Sequence, residues 1–162
     1  GNIEEAMQCF ETGSKSIGPA PAAAIDSVNK IVWQARYEYG KARGLAHLGK
    51  FDEAWSIVNK FKEMIDANPE QGNQYLQSHH YMVGYILSLQ GKYEKAIEHL
   101  KQANPADPFH SLLLARAYEK VGDLDNAKAA YESVVKSRVN NVERALSYPE
   151  AKKKLAMLSS SN

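Results

Sequence analysis

The chain has 162 residues, 44% hydrophobic and 24% charged, the composition of an ordinary globular chain able to bury roughly 70% of its unfolded surface. Twenty Lys and Arg against nineteen Asp and Glu leave a charge of +1, without the basic excess that a nucleic-acid binder carries. The single cysteine, Cys9, excludes an internal disulfide, and no apolar run approaches the ~18 residues of a membrane span.

One helix opening recurs along the chain: GNIEEAMQCF from Gly1, GKFDEAWSIV from Gly49, GKYEKAIEHL from Gly91 and GDLDNAKAAY from Gly122. Each copy has Gly, a polar residue, a bulky apolar residue (Ile3, Phe51, Tyr93, Leu124), two polar residues and Ala. The alanines are Ala6, Ala54, Ala96 and Ala127, and a large residue follows four later at Phe10, Val58, Leu100 and Tyr131. Gly suits a helix end that passes through the left-handed region before turning back. Ala permits close helix approach, and the residue four later lies on the same face. Upstream of three of these glycines a partner helix is legible, carrying Ala42 and Leu45, then Val83, Gly84 and Leu87, then Leu114, Ala115 and Tyr118. No alternating β-branched run is present, so the chain is expected to be all-α, built of helix–turn–helix units.

In chain order, residues 1–13 are expected to be the second half of a unit whose first helix lies upstream, which makes the chain a C-terminal piece of a longer protein. Any targeting segment would also lie upstream of Gly1, so localisation stays open. A loop is expected over 14–21, in the Gly/Pro/Ser-rich stretch, followed by an overlong helix from about Ala22 to Leu48 and a repeat over 22–68. Asn68-Pro69-Glu70-Gln71 has the cap, the first-turn Pro and the reciprocal Gln of a helix start, opening a repeat over 69–106 with a lengthened first helix. Asp107-Pro108 opens the next repeat, over 107–137. Ser147-Tyr148-Pro149-Glu150 reads as a capping box starting a polar helix over 147–158, with Lys152, Lys153 and Lys154 outward, and 159–162 as a disordered tail. A single array is thus expected over 1–158.

The segments VGYILSLQGKYEKAIEHLKQANPADP and LARAYEKVGDLDNAKAAYESV resemble the tetratricopeptide repeat, a ~34-residue helical hairpin. Gly84, Ala96, Ala115 and Ala127, with Leu87, Tyr93, Tyr118 and Tyr131, fall where the family's signature has small and large residues. The departures are the alanine spacings of 48, 42 and 31 residues, of which only the last is near the nominal period, and Lys41 at a usually apolar place. The resemblance implies a right-handed α-solenoid with a C-terminal capping helix. It also implies a concave groove lined by the first helix of each unit. By position the groove residues are Arg36, Tyr39, Arg43 and His47; Ser78, Tyr81, Tyr85 and Ser88; and Leu112, Arg116 and Lys120. The family's Lys/Asn clamp for a chaperone C-terminal carboxylate is replaced here by Tyr39, Arg43, Tyr81 and Tyr85, so that ligand is not expected.

Chemistry-bearing motifs are missing. The five histidines show no zinc-like spacing, and adjacent His79 and His80 point about 100° apart on a helix. Cys9 has no cationic or His neighbour in sequence that would activate it. Glu4-Glu5 and Asp52-Glu53 stand at helix starts, where the helix dipole favours them without catalysis. The irregular spacing also argues against a one-base-per-repeat RNA reader. The resulting expectation is a non-catalytic protein-interaction scaffold with no metal, cofactor, nucleic acid or membrane insertion. Its partner would be a protein or peptide, an acidic and apolar segment, with the chain a monomer or weak dimer. The alternative is a structural module that packs against the rest of its own chain or a second copy.

Overall fold

The computed structural model describes residues 2–17, 27–67 and 69–160, with side chains except those of Phe10, 13–17, 27–36 and Gln71. Every regular element among the described residues is helical: α1 (Ile3–Ile17), α2 (Ser27–His47), α3 (Phe51–Ala67), α4 (Pro69–Gly72), a 3-10 turn (Asn73–Tyr75), α5 (Leu76–Leu89), α6 (Tyr93–Leu100), α7 (Pro108–Lys120), α8 (Leu124–Lys136) and α9 (Val142–Ser159). The fold is all-α. None of these helices is long and apolar enough to cross a membrane.

The turn glycines set the hairpins. Gly49, Gly91 and Gly122 have φ of 76°, 74° and 80°, the left-handed region that glycine enters without a Cβ penalty. At each, the following residue donates back five positions, Lys50 to Leu45, Lys92 to Leu87 and Asp123 to Tyr118, at 2.9, 2.9 and 3.0 Å. The glycine itself donates back three positions. This paired pattern is the Schellman motif, which satisfies carbonyls that a helix end would otherwise orphan. Three chemically different turns therefore have one geometry. It points the next helix back along the one before it.

Two compact units result, residues 1–73 and 74–162, where the sequence suggests one array. In the N-unit α1 packs on α2, α2 on α3 and α3 on α4. Its core is Ala42, Leu45, Ala46, Ala54, Val58, Phe61 and Ile65, all buried. In the C-unit α5 pairs with α6 and α7 with α8, α6 lies on α7, and α9 packs on both α7 and α8. Ala96 and Ala127 of the repeated opening are fully buried, as is Ala115 on the partner helix α7. A Cβ added at Gly84 would come within 2.5 Å of Leu100 Cγ and 3.2 Å of the Ala96 carbonyl oxygen, so α5 and α6 touch at backbone distance.

Four sequence expectations are corrected. Helix α1 runs on to Ile17, so residues 14–17 are helix rather than the start of the expected loop; the rest of it, and residues 22–26 of the expected long helix, lie outside the described residues. A lone Gly13 costs a helix only about 1 kcal/mol against Ala, whereas the stronger stop, Gly18-Pro19, comes later. The first helix of the next unit is not lengthened: α5 has 14 residues, because the surplus before it forms α4 and the 3-10 turn. The last helix starts at Val142, not Ser147; Asn141 caps it by accepting from the Arg144 N–H at 2.9 Å. The Ser147 hydroxyl instead donates back to the Glu143 carbonyl at 2.7 Å, and Pro149 sits inside the helix. The expected tail begins too early, since Ser159 ends α9 and Ser160 donates to the Ala156 and Met157 carbonyls; residues 161–162 lie outside the described residues.

Candidate functional site

The predicted groove residues fall on α2, α5 and α7, the first helices of their hairpins. Their surroundings differ.

In the N-unit the side chain of Arg36 lies outside the described residues. Tyr39 turns into the α2–α3 interface, its ring edge-on to Phe61 at 4.7 Å between centroids. Its hydroxyl is buried without a hydrogen-bond partner among the described residues, and burial pushes its pKa well above the ordinary phenol value. Arg43 is half-buried and His47 is exposed at the end of α2. Partial burial, then the Arg43 charge, pushes the His47 pKa below the ordinary imidazole value. These two remain polar groups on one side of α2; Tyr39 is a packing residue.

In the C-unit Ser78, Tyr81, Tyr85 and Ser88 are all half-buried along α5. Ser88 is tied back to its own helix, donating to the Gly84 carbonyl at 2.8 Å. Tyr81 stacks on His110 of α7, 4.1 Å between centroids at 18°, and its ring lies 5.8 Å from that of Tyr85. An aromatic strip thus passes from α5 to α7. On α7 the three predicted residues part company. Leu112 is 5% exposed and belongs to the core with Ala115, Ala127, Tyr131, Val134 and Ala151, so it lines no surface groove. Lys120 is exposed. Arg116 is exposed but bound in a two-bond fork by Glu150 of α9, Nε–Oε1 2.7 Å and Nη2–Oε2 2.5 Å. The fork raises the Arg116 pKa above its ordinary value.

Sequence reasoning missed the polar seam where α9 meets α7 and α8. Glu119 of α7 accepts from Lys154 Nζ of α9 at 2.5 Å and from the Tyr131 hydroxyl of α8 at 2.7 Å. Burial raises the Glu119 pKa, but the hydrogen bonds from Lys154 and Tyr131 outweigh it and hold it below its ordinary 4.5. The Arg116 fork likewise holds Glu150 low. Burial, then the bond to Glu119, pushes the Tyr131 pKa up. Nothing in the spacing of Glu119, Glu150 and Lys154, 31 and 35 residues apart from the first, marks them as partners. Only the packing of α9 on α7 does so.

This seam gives a pH prediction with a definite sign. Both carboxylates have folded pKa values below 4.5, so the stability they add is present above that value. It is lost as the pH falls through the depressed folded values. The melting temperature of the parent should therefore drop between about pH 5 and pH 3 by more than that of Glu119→Gln/Glu150→Gln, followed by circular dichroism. Parallel pH curves would remove the seam from the stability of the C-unit. Because Arg116 and Glu150 are 50% and 34% exposed, their coupling in a double-mutant cycle should be only about 0.5–1 kcal/mol.

Among the described residues no group of three or more His, Cys, Asp or Glu could hold a metal ion. Residues 87–147 match the family model described as tetratricopeptide repeat. No curated protein and no solved structure matches the chain.

Proposed function

We propose that this chain, whose residues 87–147 match the tetratricopeptide repeat, is a protein of that family and that its C-unit binds an extended or helical protein segment across α5 and α7. Such repeats generally mediate protein–protein interaction, and the family is typically non-catalytic. The observation that carries the reading is the strip of Tyr81, His110 and Tyr85 across α5 and α7, with Arg116 exposed on the same helix as His110. Tyr and Arg are the residues most enriched at binding hot spots, since they offer rigid area with a polar end. Glu150 takes two of the five N–H donors of Arg116, and an acidic side chain of a partner would accept from the others. The partner would pair acidic with apolar residues, at micromolar affinity (~8 kcal/mol).

The test is peptide display on the folded chain, comparing the parent with Tyr81→Ala/Tyr85→Ala. The stack with His110 contributes about 0.5–1.5 kcal/mol beyond the area the rings bury, so both proteins are first matched for helical circular dichroism and cooperative melting. The parent should enrich peptides with Asp or Glu beside apolar residues, and the variant should lose them. Equal enrichment would take the site away from this surface.

A second reading has its own support. Val142, Leu146 and Met157 on α9 are 68%, 63% and 54% exposed, an apolar face suited to self-association or to packing against other chain segments. Val142 and Leu146 lie upstream of the polar helix expected over 147–158. Light scattering over a concentration series should then show a dimer that Leu146→Glu disperses. A parent that stays monomeric throughout would dismiss self-association.

A further inference from the structure

The tight α5–α6 hairpin brings two imidazoles together that the sequence keeps 19 residues apart. His80 stands one turn before Gly84 on α5, and His99 stands one turn after Ala96 on α6. Gly84 and Ala96 are the close-approach pair, so residues one turn out on each helix face each other across the seam. The two Nδ1 atoms lie 3.1 Å apart, with ring centroids 5.3 Å apart and planes tilted by 39°. Both residues are half-buried, open to solvent on one side.

We propose that His80 and His99 form a two-imidazole clip for a divalent transition-metal ion, with Cu2+ bound most tightly. An N···N contact of this length between imidazoles uses one N–H and one lone pair. A cation bound by both Nδ1 atoms takes a lone pair from each ring; the ring that donated gives up its Nδ1 proton and takes one from solvent at Nε2, so both imidazoles stay neutral and no net proton is released. With metal–nitrogen bonds of about 2.0–2.1 Å, donors 3.1 Å apart subtend about 100° at the ion. That is close to the cis angle of a tetragonal Cu2+ or Ni2+ site, and imidazole suits both ions. The order of affinity for such donors peaks at Cu2+. The helices hold the donors in place before the ion arrives, which removes most of the ordering cost of chelation. His79 is a poor third ligand, since its ring is 5.9 Å from that of His80 and steeply inclined to it at 75°. No third His, Cys, Asp or Glu among the described residues completes the set, so water fills the remaining positions and the ion exchanges readily.

The experiment uses the full chain with Cys9→Ser, because the exposed thiol would reduce Cu2+. Cu2+ is titrated by calorimetry, and its coordination is read by electron paramagnetic resonance in a non-chelating buffer. One ion per chain is expected, with couplings from two nitrogens, and Ni2+ and Zn2+ should bind more weakly. His99→Gln and His80→Gln should each weaken Cu2+ at least tenfold, whereas His47→Gln and His110→Gln should leave it unchanged. Couplings from fewer than two nitrogens in the parent would overturn the clip even if a variant failed to fold. Unchanged binding by His99→Gln, or equal loss in His47→Gln, would overturn it too.

Discussion

Replacing Ala96 by Arg is expected to unfold the C-unit, seen as loss of its cooperative melting transition and of much of the helical circular-dichroism signal. Ala96 is fully buried, and the helix facing it contributes Gly84, whose backbone is close enough that even a Cβ there would meet the Ala96 carbonyl at 3.2 Å. No rotamer of a long side chain fits that gap. Overpacking alone costs about 1–3 kcal/mol, and a guanidinium buried without a partner adds several more. The total rivals the roughly 5–15 kcal/mol that stabilises a whole domain. Gly84→Ala tests the same contact more gently: Leu100 must move aside from a Cβ that would lie 2.5 Å from its Cγ, at a cost of about 1–3 kcal/mol. A melting temperature for Ala96→Arg within about 2 °C of the parent would mean that the α5–α6 register is wrong, since ~1 kcal/mol alone moves a domain of this size by several degrees.

That register was legible because its causes are local. A left-handed turn needs Gly, and a close helix crossing needs Ala with a large residue one turn on; both conditions repeat visibly in the sequence. Helix ends were less legible, because there the local signals compete with packing. Ser147 and Pro149 look like a helix start by type and spacing, yet α9 begins five residues earlier. Interior proline costs a helix about 3 kcal/mol. The burial of Ser147 and Ala151, with Leu155 and Leu158 packed on the core, offsets it in the folded C-unit. A capping-box pattern cannot report that gain, which belongs to α7 and α8.

The candidate site was half legible for the same reason. Position within a repeat tells which turn of which helix a residue occupies, but not what lies over it. Tyr39 and Leu112 share the register of Tyr81 and Arg116, and yet both are turned into packing, one onto Phe61 and the other into the α7–α8–α9 core. Arg116 has the expected exposure but carries a carboxylate from α9 that no repeat pattern supplies. His80 and His99 fail every linear metal-motif test, because their juxtaposition depends on a hairpin turn rather than on spacing along one helix.

Removing α9, by ending the chain at Val139, should turn the C-unit into a self-associating species. Helix α9 contributes Ala151, fully buried, and the flanking Leu155 and Leu158 to the cluster that contains Leu112, Tyr131 and Val134. Two partly buried leucines account for about 2–3 kcal/mol, and the loss of cover over Tyr131 and Val134 adds a similar amount. The pairs Arg116–Glu150 and Glu119–Lys154 go as well, which matters less for their own 0–1 kcal/mol each. Their loss leaves Glu119 without its Lys154 counter-charge at the newly opened face, with only the Tyr131 hydroxyl still donating to it. A terminal repeat without its cover exposes the surface that the next element would bury. Light scattering should therefore show oligomers in the truncated chain, together with dye binding that the parent lacks. Leu155→Ala/Leu158→Ala should lower the melting temperature without removing the helix, placing it between parent and truncation. A truncated chain that stays monomeric and melts like the parent would show that α9 rests on the C-unit without stabilising it.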